Sequence, residues 1–137
     1  MRVLILCTGN SCRSRMAHGF LQSFAPDWEV CSAGTRPAQQ VNPRAVEVMQ
    51  EVGIDLSLHT PKSVEVYLSD TWDYVITVCG GANESCPAFV GKVGKRLHIG
   101  FDDPSEVVGS NDYVMSEFRR VRDEIKQVFS AFYLDNR

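Results

Sequence analysis

Short apolar runs alternate along this chain with stretches of helical periodicity, and this alternation restricts the fold more than any other feature. The runs are continuous, which is typical of strands buried on both faces of a parallel sheet. Strands that alternate with helices predict an α/β domain, in which a four-stranded parallel sheet is flanked by helices and joined by right-handed crossovers. The strands are predicted at residues 3–7, 28–33, 74–78 and 97–99.

Helices are predicted where apolar residues recur every three or four positions. The first runs from residue 14 to Ala25, and the second follows the capping pair Asn42-Pro43 and ends at Gly53. Residues 54–70 are ambiguous, with room for one short helix, and we expect the charged run at 119–126 to be the solvated face of the last helix. The second helix is expected to bury Ala45, Val46, Met49 and Val52, and the last helix Val114, Phe118, Val121, Ile125, Val128 and Phe132.

Length and charge exclude several classes of protein. The chain has 137 residues, 44% of them hydrophobic, which predicts a single domain over residues 1–137. Lys and Arg number 14 and Asp and Glu 17, so the formal net charge is −3, which argues against nucleic-acid binding. No apolar run approaches the roughly 20 residues of a membrane-spanning helix, and the N-terminus has no signal-peptide pattern. We therefore expect a cytoplasmic protein without a membrane partner.

Five cysteines, Cys7, Cys12, Cys31, Cys79 and Cys86, are the main chemical feature of the chain. An odd number, in a chain that we expect to lack a leader, does not indicate a disulfide framework, so these residues are expected to be catalytic, redox-active or metal-binding. Their spacing does not match a structural zinc site, and we expect no bound metal. Cys7 and Cys79 lie at the carboxyl ends of predicted strands, where parallel sheets place their functional sites, so we expect them to meet.

The segment from Cys7 to Ser14 has the form Cys-x5-Arg-Ser between a predicted strand and a predicted helix. Backbone N–H groups of such a loop can surround a tetrahedral oxyanion, and the helix N-terminus and the Arg13 fork favour the same anion. These positive groups are expected to lower the pKa of Cys7 and make it a thiolate nucleophile, steadied by Ser14. Cys12 is expected to pack beneath the loop. We predict oxyanion binding by Thr8, Gly9, Asn10, Ser11, Cys12, Arg13 and Ser14.

The loop sequence Cys-Thr-Gly-Asn-Ser-Cys-Arg-Ser resembles that of the low-molecular-weight protein tyrosine phosphatase superfamily, and the wider pattern is similar to its thioredoxin-coupled arsenate reductases. The resemblance spans nearly the whole chain and implies a three-layer, phosphatase-like fold. The matching stretches are residues 7–17, 32–34, 41–43 with the helix that follows, 53–60, 78–79, 86–87, 100–104 and 118–125.

The resemblance implies that arsenate is reduced to arsenite by a Cys7 nucleophile and a Cys7/Cys79/Cys86 disulfide relay, which thioredoxin regenerates. It assigns Asp103 as the acid that protonates the leaving oxygen, and Asp102 is expected to be a solvated or hydrogen-bonding neighbour. The glycine-rich segment between Cys79 and Cys86 is expected to be a loop that changes conformation. No metal or organic cofactor is required, and a monomer is expected. The implied catalytic residues are Cys7, Arg13, Cys79, Cys86 and Asp103.

A low-molecular-weight protein tyrosine phosphatase is the main alternative, because it would use Cys7, Arg13 and Asp103 alone. Such phosphatases usually carry aromatic residues after the Asp-Pro pair, where this chain has Ser105-Glu106-Val107. A cysteine-phosphorylated carrier of similar fold would need neither Arg13 nor the two later cysteines. A structural thiol or zinc module is the last alternative, and a glutaredoxin or mycothiol system could replace thioredoxin as the reductant.

The chain departs from the family pattern at a cation position. We call the segment from Cys7 to Ser14 the anion loop. Some of these reductases hold a potassium ion near this loop through an asparagine, a glutamate, a serine and an aspartate, of which this chain matches Asn10 and Ser32. His18 and Lys62 stand at the two carboxylate positions. We therefore expect no potassium site, and we expect the Lys62 ammonium to lie near Asn10 and orient it. Of the histidines, His59 is the best candidate for a supporting role.

Overall fold

The computed structural model describes residues 1–137 and contains one four-stranded sheet. The strands are β1 (Arg2–Cys7), β2 (Glu29–Gly34), β3 (Trp72–Thr77) and β4 (Val93–His98), and their order in the sheet is β2-β1-β3-β4. Every neighbouring pair of strands is parallel, which confirms the predicted fold class. The inner strand β1 is strongly apolar, and its residues Val3 to Leu6 have no exposed surface.

Four α-helices and two 3-10 turns complete the domain. The second helix begins as predicted, because the Asn42 side chain accepts a hydrogen bond from the N–H of Arg44 at 2.9 Å and Pro43 occupies the first turn. Gly53, at φ 81°, takes the left-handed conformation after that helix. The helices are α1 (Arg13–Phe24), α2 (Pro43–Gln50), α3 (Gly80–Ser85) and α4 (Asn111–Asn136), and the turns are η1 (Val64–Tyr67) and η2 (Pro104–Glu106).

Two predicted core positions on the helices are wrong. Val52 lies beyond the end of α2 and is exposed, and Val48 is buried on that helix. On α4, Val128 is exposed and Phe129 is buried, because at about 100° per residue Phe129 lies closer than Val128 to the middle of the buried stripe. The rest of the predicted α4 stripe is buried, and this helix packs against α1 and α2.

The charged run on α4 is also not wholly solvated. Arg122 is 8% exposed, and its guanidinium donates to the carbonyl of Val48 at 2.9 Å and to Glu51 at 2.7 Å. It therefore joins α4 to the C-terminal end of α2. A charge run on a helix face conceals such a residue, because its partners come from another element.

The predictions for the fourth strand and for the segment between Cys79 and Cys86 need correction as well. β4 spans Val93–His98 rather than 97–99; it is an edge strand, and most of its residues are exposed. The segment predicted as a loop between Cys79 and Cys86 is helix α3, which begins at Gly80 and ends at Ser85. No helix of the structure is both long and apolar enough to cross a membrane.

Candidate active site

The strand order places the site at the junction of β1 and β3. The chain leaves β1 toward β2 on one side and returns as β3 on the other, so a crevice opens at the carboxyl ends of these strands. Leu6 pairs with Thr77, and the N–H of Val78 donates to the carbonyl of Leu6 at 2.9 Å. Cys7 and Cys79, which follow those residues, therefore lie side by side at one edge of the sheet.

The loop after β1 turns its carbonyl groups outward. The carbonyls of Thr8 and Gly9 accept hydrogen bonds from Arg36 and Ala38 at 2.9 Å each, and that of Ser11 accepts one from Asn42 at 2.7 Å. In a planar trans peptide the N–H points opposite to the carbonyl, so the N–H groups that follow these carbonyls face inward. This is the geometry of an anion-binding nest.

Two residues give the loop its shape. Asn10 is fully buried and has a φ of 53°, so this asparagine, not Gly9, takes the left-handed conformation that the turn requires. Gly34 ends β2 against the loop, and a Cβ at this glycine would lie 2.4 Å from the carbonyl oxygen of Thr8. No larger residue fits at position 34 without moving the loop.

The loop surrounds a cavity of about 570 Å³. The cavity receives groups from three parts of the chain, which are the anion loop, the start of α3 and the Asp-Pro segment before α4. Cys12 is buried, and burial raises the pKa of its thiol to about 12, so it stays protonated. The lining residues are Cys7, Thr8, Gly9, Asn10, Ser11, Cys12, Arg13, Cys79, Gly80, Gly81, Asp103, Ser105 and Glu106.

Arg13 and Asp103 face each other at this cavity. The Arg13 Nη2 atom lies 3.3 Å from Oδ2 of Asp103, and Nη1 donates to the carbonyl of Phe101 at 3.1 Å. The buried Nε of Arg13 has no hydrogen-bond partner. The other oxygen of Asp103 accepts from the N–H and hydroxyl of Ser105 at 3.0 and 2.6 Å, so the carboxyl group is held with Oδ2 toward the arginine.

Asp102 lies outside this arrangement. Its side chain is 77% exposed and forms a salt bridge with Arg120 of α4 at 3.2 Å. The two neighbouring carboxylates are therefore distinct in position: only Asp103 lines the cavity.

Cys7 and Cys79 line the same cavity, and the interaction between their thiols has the largest effect on the acidity of both. It raises the pKa of Cys7, assisted by burial, although Arg13 acts in the opposite direction. It lowers the pKa of Cys79 to about 4, and the Cys79 sulfur also contacts the hydroxyl of Thr8 and the N–H of Ala82, both at 3.4 Å. The prediction that Cys7 itself has a lowered pKa is therefore wrong for this state. Of the two thiols, Cys79, the N-cap of α3, is the one whose ionisation its surroundings favour.

Cys86 is separated from this pair. It follows the last residue of α3, is half-buried, and its thiol donates to the carbonyl of Pro87 at 3.6 Å. It lines a different cavity, together with Thr77, Arg96 and His98 among others. A helix rises about 1.5 Å per residue, so the seven positions from Cys79 to Cys86 span about 10 Å. A disulfide needs Cα atoms within roughly 7 Å, so these two cysteines can join only if α3 unwinds.

The hydroxyl of Ser14 contacts Asn10 and not Cys7. Asn10 Nδ2 donates to Ser14 Oγ at 2.8 Å, and no hydrogen bond joins Ser14 to the nucleophile. The prediction for Lys62 also needs correction, since its side chain is exposed and only its backbone N–H reaches Asn10 Oδ1, at 3.0 Å. The cation that contacts Asn10 is the guanidinium of Arg15, at 2.9 Å.

Sequence reasoning missed Arg15 and underestimated Gly34. Arg15 follows the Arg13-Ser14 pair at the start of a helix and has no pattern that distinguishes it from a surface arginine. Gly34 lay in a stretch that matched the family, but its contact with the loop becomes visible only when β2 is paired with β1. The structure contains no group of three or more His, Cys, Asp or Glu residues that could hold a metal ion.

The cysteine loop, the facing arginine and aspartate, and the parallel sheet are features of one class of phosphate-ester enzymes. The family model described as low molecular weight phosphotyrosine protein phosphatase matches residues 2–135. The chain belongs to this family.

Several of the most similar relatives within that family are named as reductases. The arsenate reductase of Shouchella clausii is 48% identical over 124 residues, 90% of this chain and 88% of that protein. A solved structure described as an arsenate reductase in the phosphate binding state has a TM-score of 0.81 and 31% identity, with 98% of this chain and 97% of the other covered. The thioredoxin-dependent arsenate reductase of Corynebacterium glutamicum gives a TM-score of 0.64 and 26% identity, with 98% and 63% covered. These comparisons confirm the resemblance inferred from the sequence.

Proposed function

We propose that this chain, as a single domain over residues 1–137, is an arsenate reductase that uses thioredoxin as its reductant. The observation that carries the proposal is that Cys7 and Cys79, at the ends of two paired strands, line the same anion-binding cavity. A phosphatase requires one nucleophilic sulfur. A two-electron reduction requires a second sulfur within reach of the first, so that both end in a disulfide.

Arsenate is a tetrahedral oxyanion, and the cavity offers it donors on several sides. The inward N–H groups of the loop and the start of α1 favour negative charge, and Arg13 can donate from Nε, which has no other partner. Asp103 lines the same cavity, with its Oδ2 3.3 Å from Arg13, and we expect it to reach the departing oxygen of an anion bound there. In its protonated form this carboxyl group gives its proton to the departing oxygen.

The first chemical step forms a bond between Cys7 sulfur and arsenic and expels one arsenate oxygen as water. Cys7 becomes the nucleophile once its proton has passed to solvent, and the positive charge of Arg13 favours that loss. Cys79, as a thiolate, then attacks the Cys7 sulfur. The sulfur–arsenic bond breaks, its electron pair stays on arsenic, and arsenite leaves with a Cys7–Cys79 disulfide behind it.

The third cysteine carries the oxidation out of the cavity. Cys86 attacks Cys79, which frees Cys7 and forms a Cys79–Cys86 disulfide, and α3 unwinds to allow it. Thioredoxin then reduces that disulfide. No metal or organic cofactor takes part in these steps.

Phosphate-ester hydrolysis is the second candidate activity, because Cys7, Arg13 and Asp103 suffice for it. Phosphate and arsenate share shape and charge, so we expect a residual phosphatase activity. The residues after the Asp-Pro pair that line the cavity are Ser105 and Glu106. They offer no aromatic surface for a phenol ring, which favours an inorganic oxyanion over a phosphotyrosine side chain.

One pair of assays tests the proposal. NADPH oxidation coupled through thioredoxin reductase and thioredoxin is measured with and without arsenate, beside hydrolysis of p-nitrophenyl phosphate by the same preparation. We expect oxidation that depends on both arsenate and thioredoxin, and Cys7→Ser is expected to abolish both activities. Arsenate-independent oxidation, or ester hydrolysis without any arsenate reduction, would contradict the proposal and favour the phosphatase.

The proposal includes a cytoplasmic location and a monomer that binds neither nucleic acid nor membrane. All five cysteines are free thiols in the structure. A relay of free thiols requires a reducing compartment, since an oxidising one would leave the resting enzyme as a disulfide.

A further inference from the structure

Arg15 is a buried cation without an anionic partner. Its side chain lies on α1 and the residue is 3% exposed, yet none of the salt bridges of the structure includes it. Burial lowers the pKa of Arg15, but an arginine side chain stays charged in proteins. A buried, unpaired charge is costly and is retained only where other contacts compensate for it.

The compensation comes from neutral acceptors gathered around the guanidinium. Nη2 donates to Asn10 Oδ1 at 2.9 Å and to the carbonyl of Thr60, and Nη1 donates to Nδ1 of His59 at 3.2 Å. Its Nε is buried and has no partner. His59 must be neutral to accept this bond, and burial together with Arg15 lowers its pKa. His18, whose ring lies 5.3 Å from that of His59, is likewise kept neutral, with a pKa near 3.

Through Asn10 this charge reaches the anion loop. The oxygen of the Asn10 amide accepts from Arg15 and from the backbone of Lys62, which leaves the amide nitrogen to donate to Ser14 at 2.8 Å. Asn10 has a positive φ, a conformation that residues other than glycine adopt uncommonly and that other contacts must support. The contacts of the Asn10 side chain therefore hold the loop in this strained shape, and the contact with Arg15 is the one that involves a charged group.

We propose that Arg15 is a positioning residue: an internal, permanent cation that orients Asn10 and so keeps the loop in its oxyanion-binding conformation. The inference rests on the proposed function only in that the loop binds a tetrahedral oxyanion. In this proposal the positive charge behind the loop belongs to the Arg15 side chain and not to a bound ion. The inference replaces the prediction for Lys62, because the Lys62 side chain is exposed and only its backbone N–H contacts Asn10.

Binding of inorganic phosphate tests the proposal without any requirement for arsenate reduction. Phosphate affinity is measured as protection of Cys7 from iodoacetamide, with peptide mapping, and Tm is measured on the same samples. Arg15→Met is expected to weaken phosphate binding about tenfold or more, the scale of one charge-assisted hydrogen bond. Methylguanidinium at millimolar concentration is expected to restore part of the affinity by filling the vacated space.

Two variants serve as matched controls. Arg122→Met also removes a buried arginine, but one that joins α4 to α2, so it should lower Tm and leave phosphate affinity within about twofold. Lys62→Ala removes the nearby exposed charge and keeps the backbone bond to Asn10, so it should change neither quantity. Asn10→Ala combined with Arg15→Met should weaken phosphate binding no further than the more damaging single variant, because the two residues act in series.

Equal phosphate affinity in Arg15→Met and the native protein would overturn the proposal, as would a loss no larger than that of Arg122→Met. Should Arg15→Met fail to fold, Arg15→Lys decides the matter. A lysine keeps the charge but cannot donate to Asn10, Thr60 and His59 in the plane of the guanidinium, so weaker phosphate binding is expected and native affinity would contradict the inference. A protein that binds phosphate through this network but reduces no arsenate would refute the proposed function alone.

Discussion

Stabilising α3 should slow the relay, because α3 holds Cys79 and Cys86 too far apart to join. Gly80 is the first residue of this helix, and a Cβ added there meets no atom within 4 Å. Gly80→Ala therefore raises helix propensity without a clash, by about 0.5 to 1 kcal/mol. If the unwound form precedes disulfide exchange, its population and the rate of exchange fall about two- to fivefold.

The exchange step is measured directly. Reduced protein is mixed with arsenate, quenched in acid at timed intervals and digested, and the linked peptide containing Cys79 and Cys86 is quantified. Hydrolysis of p-nitrophenyl phosphate, which needs no unwinding, should change by less than about twofold in Gly80→Ala. Ser85→Gly at the other end of the helix is the opposing variant and should speed the exchange, because glycine favours the unwound form.

An unchanged or faster rate of Cys79–Cys86 formation in Gly80→Ala would refute the reasoning, provided that the variant has the native Tm or a higher one. It would mean that α3 is already open before the exchange, or that the two cysteines never pair. If Gly80→Ala slows the exchange but Ser85→Gly does not speed it, the effect of Gly80→Ala arises in the cavity, which Gly80 lines, and not from the stability of the helix.

Three further outcomes are expected. Cys86→Ser should lose multiple turnover with thioredoxin and keep hydrolysis of p-nitrophenyl phosphate within about tenfold, since the anion loop is untouched; native turnover would contradict the relay. Asp103→Asn should lower the chemical step about 10²-fold, as expected for a general acid, and Asp102→Asn should do less because its carboxylate is exposed; equal losses would contradict the assignment. Cys79→Ala removes the thiol that raises the pKa of Cys7, so the pH midpoint for iodoacetamide labelling of Cys7 should fall. A midpoint that stays the same or rises would refute the claim that Cys79 controls the acidity of Cys7.

The sheet could be predicted because buried parallel strands are continuous apolar runs, as in Val3 to Leu6. β4 was predicted too short for the opposite reason: Lys95 and Arg96 are tolerated in an edge strand, and their polarity hides its extent. The segment after Cys79 was predicted as a loop because Gly80 and Gly81 are poor helix formers, but the Cys79 sulfur caps its first turn and compensates for them.

At the site, the residue types that carry chemistry were visible in the sequence and their interactions were not. The loop, Arg13 and Asp103 are close to their motifs along the chain. The acidity of Cys7 depends on a sulfur 72 positions away, and the role of Arg15 on acceptors from His59 and Thr60. Such effects arise from pairs of residues that meet only in the folded state, and no local pattern reports them.

The pairing of β1 with β3 also determines when the reactive thiol comes into being. Val3 pairs with Tyr74, and the loop that follows β1 is contacted by Gly34 and by the N–H of Lys62, while its Arg13 faces Asp103. In a chain still emerging from the ribosome β1 can pair with β2 but not with β3, so Cys7 lacks both Cys79 and Asp103 until most of the protein has been synthesised. An N-terminal fragment that contains the whole loop sequence should therefore show no reactivity toward oxyanions.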